Sequence, residues 1–162
     1  MQSVWKSNSF SPNIKLRIFN TNVKSVLLYG CETWKVTKEL MQKLQSYINR
    51  CIRFLLKIRW PENISNEKLG RITHQTKIQQ IKERKWKWLG HTLRKEDESI
   101  SKQVLDWNPQ GARKRGRPSI TWRRSIEKEA RSQGKSLKEI KALGNNRVRW
   151  RIFISALCSQ EE

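Results

Sequence analysis

The stretch TKELMQKLQSYINRCIRFLLKIRW, residues 37–60, carries the clearest helical period in the chain. Leu40, Leu44, Tyr47, Cys51, Phe54, Leu55 and Ile58 fall within about 60° of one line on an ideal helical wheel. Thr37 stands where an N-cap hydroxyl is needed, and Trp60-Pro61 ends the run because Pro disfavours helical geometry in the residue before it. Arg50, Arg53 and Lys57 lie off one edge of the stripe. The helix is therefore expected to bury that stripe and carry cations beside it.

The same period extends outward in both directions. Leu16, Phe19, Val23, Val26 and Leu27 recur at three- and four-residue steps from Asn13 to a stop near Gly30, and VLLYG at the end is expected to be well buried. Ser65 or Asn66 can cap a short helix reaching His74. A longer helix is expected over 76–95, with Ile78, Ile81, Leu89 and Leu93 along its stripe. Trp86 and Trp88 sit on opposite rims of that stripe, where an indole packs inward or presents its ring to a base. Lys77, Lys82, Lys87, Arg94 and Lys95 decorate the remainder, and His91 is read as packing beside Trp88.

Residues 96–118, EDESISKQVLDWNPQGARKRGRP, are polar and punctuated by Pro and Gly, so they read as a linker. Beyond Pro118 a helix resumes to about Gln133, with Trp122, Ile126 and Ala130 spaced at four; Gly134 stops it. Leu137–Leu143 continues helically, Gly144-Asn145-Asn146 turns, and Arg147–Leu157 closes the chain. No alternating run is long enough for a strand, and no repeat stands out. The expected fold class is all-α: a small helical bundle over 1–95, a basic Pro/Gly linker over 96–118, and a short basic helical lobe over 119–162.

Charge says more about partners than about fold. The 162 residues hold 35 Lys plus Arg against 14 Asp plus Glu, a net +21, so the chain should seek an anionic surface. Eight Trp argue against a disordered basic tail, which would be aromatic-poor. The start, MQSVWKSNSFSPN, lacks the apolar core of a signal peptide, and no apolar run approaches the roughly 20 residues of a membrane span. Three widely spaced cysteines suit a reducing compartment.

Catalysis by the chain alone is not expected. Metal-dependent polymerases and nucleases cluster carboxylates around their ions, whereas Asp97 and Asp106 are the only aspartates and lie in the linker. Glu127 and Glu129 sit among basic residues, where surface ion pairing is the expected role. There is no phosphate-binding Gly-rich loop, nucleophile elbow or HExxH. Cys31, Cys51, Cys158, His74 and His91 match no zinc-ligand spacing, and the cysteines read as small apolar side chains. No metal, cofactor or small-molecule substrate is expected.

GARKRGRPSITWRR, residues 111–124, has three readings. Arg115-Gly116-Arg117-Pro118 resembles a hook laid in an A·T minor groove. RKRGR would serve as a nuclear localisation signal. Structurally, Gly116 supplies a bend, Pro118 presets the next helix, and Ser119 or a neighbour caps it. Phosphate contact by a basic linker is common to all three.

Four stretches in order carry a family resemblance: LLYGCETW (27–34), WKWLGHTLR (86–94), RGRPSITWRR (115–124) and NNRVRWR (145–151). Over about residues 14–157 the chain resembles the C-terminal part of reverse transcriptases from non-LTR, LINE-type retrotransposons, especially the RTE-like group. That resemblance implies a thumb-like bundle gripping template–primer over 1–95, then a basic C-terminal extension that binds element RNA or target DNA. The family's palm, with its Tyr/Phe-x-Asp-Asp motif, and its endonuclease do not occur in this sequence, so a truncated element or gene-model fragment is expected.

The resulting expectation is a non-catalytic DNA- or RNA-binding fragment. Arg50, Arg53, Lys82 and Lys85 are candidate backbone contacts, and Trp86 or Trp88 a stacking ring. Arg113, Lys114, Arg115, Arg117, Arg123, Arg124, Arg147, Arg149 and Arg151 would add phosphate contacts. The expected location is nuclear, or cytoplasmic as a ribonucleoprotein, with no membrane partner. The alternatives are a domesticated helical protein-interaction module and a remnant without a cellular role.

Overall fold

A computed structural model describes residues 2–59, 61–62, 64–74, 80–107, 116 and 121–159. Among these the chain is all-α, with no strand. Its contacts divide it into two compact units, Met1–Gly30 with Thr37–Gln80 and Cys31–Val36 with Ile81–Glu162. No described helix is long and apolar enough to cross a membrane.

The first unit contains α1 (Gln2–Lys6), α2 (Pro12–Ile18), a π-helical turn (Phe19–Lys24), α3 (Ser25–Leu27), α4 (Lys38–Leu55) and α5 (Asn66–Thr73). Ser11 caps α2 by accepting from the Ile14 amide, with Pro12 in the first turn. Lys15 is buried, and its Nζ donates to the carbonyls of Trp5 at 3.1 Å and Ser7 at 2.6 Å, satisfying the end of α1. Leu16 and Phe19 are buried, as their spacing requires, and Leu28 of VLLYG is buried with them although it lies off that stripe. Val26 and Tyr29, expected inside with them, are 75% and 84% exposed. In so short a helical run only one side can face α4.

Thr37 caps α4 as expected, accepting from the Leu40 amide at 3.2 Å. The helix ends earlier than Trp60-Pro61 requires. Lys57 takes φ +58°, and Ile58 N–H bonds the Arg53 carbonyl at 3.0 Å, the six-to-one closure of a Schellman cap. The buried face also differs from the expected stripe. Ile48, Ile52 and Leu55 are inside with Asn49, while Tyr47 and Phe54 are each 48% exposed. The inward line is rotated by about 90° from the expected one. The apolar arc of α4 is wider than the small elements beside it can cover. The edge carrying two aliphatic isoleucines is the one they bury.

Ser65 caps α5 by accepting from the Lys68 amide at 3.2 Å.

The second unit holds a 3₁₀ turn (Cys31–Thr33), α6 (Gln80–Leu93, all but its first residue), α7 (Ile100–Asp106), α8 (Trp122–Ser132), α9 (Leu137–Gly144) and α10 (Arg147–Ser159). Its core joins Trp86, Leu89 and Leu93 of α6 to Ile126 and Ala130, Ile140, and Trp150, Phe153, Ile154 and Leu157. α6 thus packs with the C-terminal helices, unlike the expected grouping of 1–95. Three indole N–H groups find acceptors: Trp86 on Glu129 Oε2 at 2.6 Å, Trp150 on the Trp86 carbonyl at 3.1 Å, and Trp122 on the Glu32 carbonyl at 2.9 Å. The last bond ties residues 31–36 to α8.

The linker expectation is corrected in part. α7 occupies its middle, Leu105 packs on the core, and Lys141 Nζ holds Asp106 at 2.6 Å. Gly116 has φ +119°, the bend its position implied, and its neighbours at 108–115 and 117–120 lie outside the described residues. The cap of α8 is Thr121, which accepts from the Arg124 amide at 3.3 Å. Gly134, at φ +65°, ends α8 with a Schellman closure from Lys135 N–H to Ala130 O at 3.1 Å. Ser136 and Glu139 form a capping box on α9, and the Ser136 amide and hydroxyl hold the Glu139 carboxyl below its ordinary range.

Candidate nucleic-acid interface

α6 and α10 run past each other with opposed directions. Lys82, near the start of α6, donates to the Leu157 carbonyl at 3.2 Å, while Arg94, just past its end, stands beside Arg147 at the start of α10. Between these points Gly90 meets the Trp150 indole, and the close approach is possible because Gly90 has no Cβ. Along one side the helices leave a groove of about 780 Å³ lined by Lys87, His91, Arg94, Arg147 and Arg151, with Glu83 among them.

The charge in this groove is lopsided. Glu83 is bonded to Lys87 at 2.5 Å, so its carboxylate is already engaged. Arg94 donates Nη1–H to the Gly144 carbonyl at 2.8 Å, at the negative end of α9. Desolvation first, and then the neighbouring charges of Arg147 and Arg151, hold the Arg94 guanidinium below its ordinary range. Among the described residues no carboxylate pairs with Arg94, Arg147 or Arg151. Three guanidinium groups meet without a counter-charge, an arrangement that an anion would relieve.

The other sequence-predicted contacts scatter. Lys85 and Trp86, 1% and 0% exposed, belong to the core: Lys85 pairs with Glu129, whose other oxygen takes the Trp86 N–H. Neither reaches a ligand as placed. Trp86's rim position on the expected stripe is overridden because α8 brings a carboxylate to it, and Lys85, four residues from both Ile81 and Leu89, lies on the buried stripe itself; Glu129 is thereby moved from its expected surface role. Trp88 is half-buried and meets Trp122 edge to face, with centroids 5.8 Å apart. Arg53 is half-buried and donates to the Ile64 carbonyl at 2.9 Å and Asn66 Oδ1 at 2.7 Å, so it fastens α4 to the start of α5. Lys82 is occupied at Leu157 as described.

Arg50, Arg124 and Arg149 are exposed on separate helices, and Arg123 is exposed but faces Glu127 at 3.4 Å. Arg113, Lys114, Arg115 and Arg117 lie outside the described residues. Of the predicted set, Arg147 and Arg151 are brought together, one turn apart. Lys87, His91 and Arg94 join them; sequence placed the first and last only as decoration. Their spacing of four and three, along α6 and onto the residue just past its end, was the available signal. Among the described residues no group of three His, Cys, Asp or Glu is placed to hold a metal.

Residues 1–29 match a family described as a domain of unknown function (DUF6451). Over 147 residues the chain is 24% identical to an uncharacterized transposon-derived protein of Caenorhabditis elegans, a match that takes in 85% of this chain and 52% of that protein. The chain thus spans about half the length of the curated relative it matches. No solved structure matches. The chain is therefore similar, over most of its length, to a protein of transposon derivation.

Proposed function

We propose that this chain is a transposon-derived, non-catalytic nucleic-acid-binding segment, originating in the C-terminal part of a non-LTR retrotransposon reverse transcriptase. The likeness to a transposon-derived protein supports the origin, and the four ordered motifs support the narrower assignment. The observation that carries nucleic-acid binding is the uncompensated convergence of Arg94, Arg147 and Arg151 on one groove in a chain of net charge +21. Clustered cations bind phosphates by releasing condensed counterions, so affinity should depend steeply on salt.

Anisotropy titrations of the whole chain with a labelled oligonucleotide test this. With three phosphate contacts, affinity should fall about tenfold or more for each fourfold rise in salt. Binding that is flat across the same range would rule out the phosphate mechanism. It would favour a helical protein-docking module instead, a reading to which the exposed Val26 and Tyr29 lend support.

A further inference from the structure

We propose that the α6–α10 groove holds one nucleic-acid strand by consecutive phosphates, through Arg147 and Arg151 with Arg94 between the helices, and does not read its bases. The inference rests on the nucleic-acid reading above and narrows it to one site and one form of ligand. Arg147 and Arg151 rise about 6 Å along α10, close to the separation of neighbouring phosphates on a strand. Both line the groove that Arg94 enters from the α6 side. Arg94 is anchored through one nitrogen to Gly144, which leaves the rest of its planar fork for a second acceptor.

The concave form selects a single strand. A slot between two packed helices admits one phosphate chain, whereas the convex surface of a duplex meets only its rims. The floor gives a base little to stack on. Trp150 is the indole lining the groove, yet it is buried, with Trp86 at 5.8 Å and Phe153 at 5.8 Å against it and its N–H spent on the Trp86 carbonyl; the exposed His91 imidazole is the other ring in the lining. An indole packed in this way offers no stacking platform, so the broad aromatic surface that usually accompanies single-strand binding is missing, and only the small His91 imidazole is placed to meet a base. Affinity should come chiefly from phosphate, with no preference among bases.

The test compares the whole chain with Arg147→Gln/Arg151→Gln, and with an Arg131→Gln/Lys138→Gln control that removes the same charge from exposed positions on α8 and α9. The probes are oligo-dT and oligo-dA of about 10 nucleotides, a duplex of equal length, and inorganic tripolyphosphate as competitor. Single strands should bind more tightly than duplex, dT and dA alike, and tripolyphosphate should displace them. The groove variant should lower the salt slope by about 1.4, two phosphates at about 0.7 each, and the control should leave it unchanged.

A groove variant with the wild-type slope, or a control that loses as much, overturns the site while nucleic-acid binding stands. Tighter binding of duplex, or a strong preference between dT and dA, overturns the single-strand, base-blind assignment. Absence of binding to any nucleic acid by the unaltered chain overturns both this inference and the reading it rests on.

Discussion

Glu129→Ala is expected to destabilise the second unit by about 3–5 kcal/mol, because it strands the buried Lys85 ammonium without a counter-charge. The Glu129 carboxylate serves two partners, Lys85 Nζ on one oxygen and the Trp86 N–H at 2.6 Å on the other. Lys85 is almost fully enclosed, so water cannot replace the lost carboxylate. Loss of the indole acceptor adds an unsatisfied buried donor. A loss of this size is a large part of the roughly 5–15 kcal/mol that stabilises a typical domain. Denaturant unfolding followed by tryptophan fluorescence measures it. Removing both charges, as Lys85→Met with Glu129→Leu, should recover much of the loss. A Glu129→Ala midpoint close to wild type would show that the pair does not hold α8 on α6.

Gly90→Ala is the second change with a large expected effect, and its sign separates two levels of cause. Helix propensity alone predicts stabilisation by about 1 kcal/mol, since Gly is the poorer helix former. Packing predicts the reverse. A Cβ at Gly90 would lie 2.5 Å from Cε2 of Trp150 and closer still to its Nε1. Trp150 cannot swing aside without breaking its bond to the Trp86 carbonyl and disturbing its ring contacts with Trp86 and Phe153. Overpacking with loss of that hydrogen bond should destabilise by about 2–4 kcal/mol. Thermal unfolding of Gly90→Ala decides it: a raised midpoint would show that α6 and α10 do not touch here. At Gly144 the nearest atom to an added Cβ is Cδ1 of Leu93, at 2.7 Å and on a flexible side chain, so Gly144→Ala should have the smaller effect.

The helices themselves were legible because their signals are local. Thr37 and Ser65 accept from amides three residues on, and Gly134 ends α8 through bonds spanning five residues. α7 was hidden because it is short, lies among polar residues and draws on a distant partner, Lys141. The early end of α4 was hidden because Lys57 takes a left-handed conformation that glycine usually marks.

The candidate site divides in the same way. Arg147 and Arg151 were readable as a basic pair one turn apart, but nothing in their own segment pointed to Arg94. Trp86 and Trp88 looked equivalent on the wheel, yet one lies at the centre of the core and the other against Trp122.

By itself the sequence determined an all-α chain, the caps at Thr37 and Ser65 with the stop at Gly134, and a cationic excess that its few carboxylates cannot offset. Tertiary structure alone decided which face of α4 is buried, that Lys85 and Trp86 belong to the core, and that Arg94 meets Arg147 and Arg151. Caps and turns depend on atoms a few residues apart, which any window of sequence contains. Burial and charge pairing depend on which surface arrives from elsewhere in the chain. The helical period says only that a face is apolar, not what will cover it.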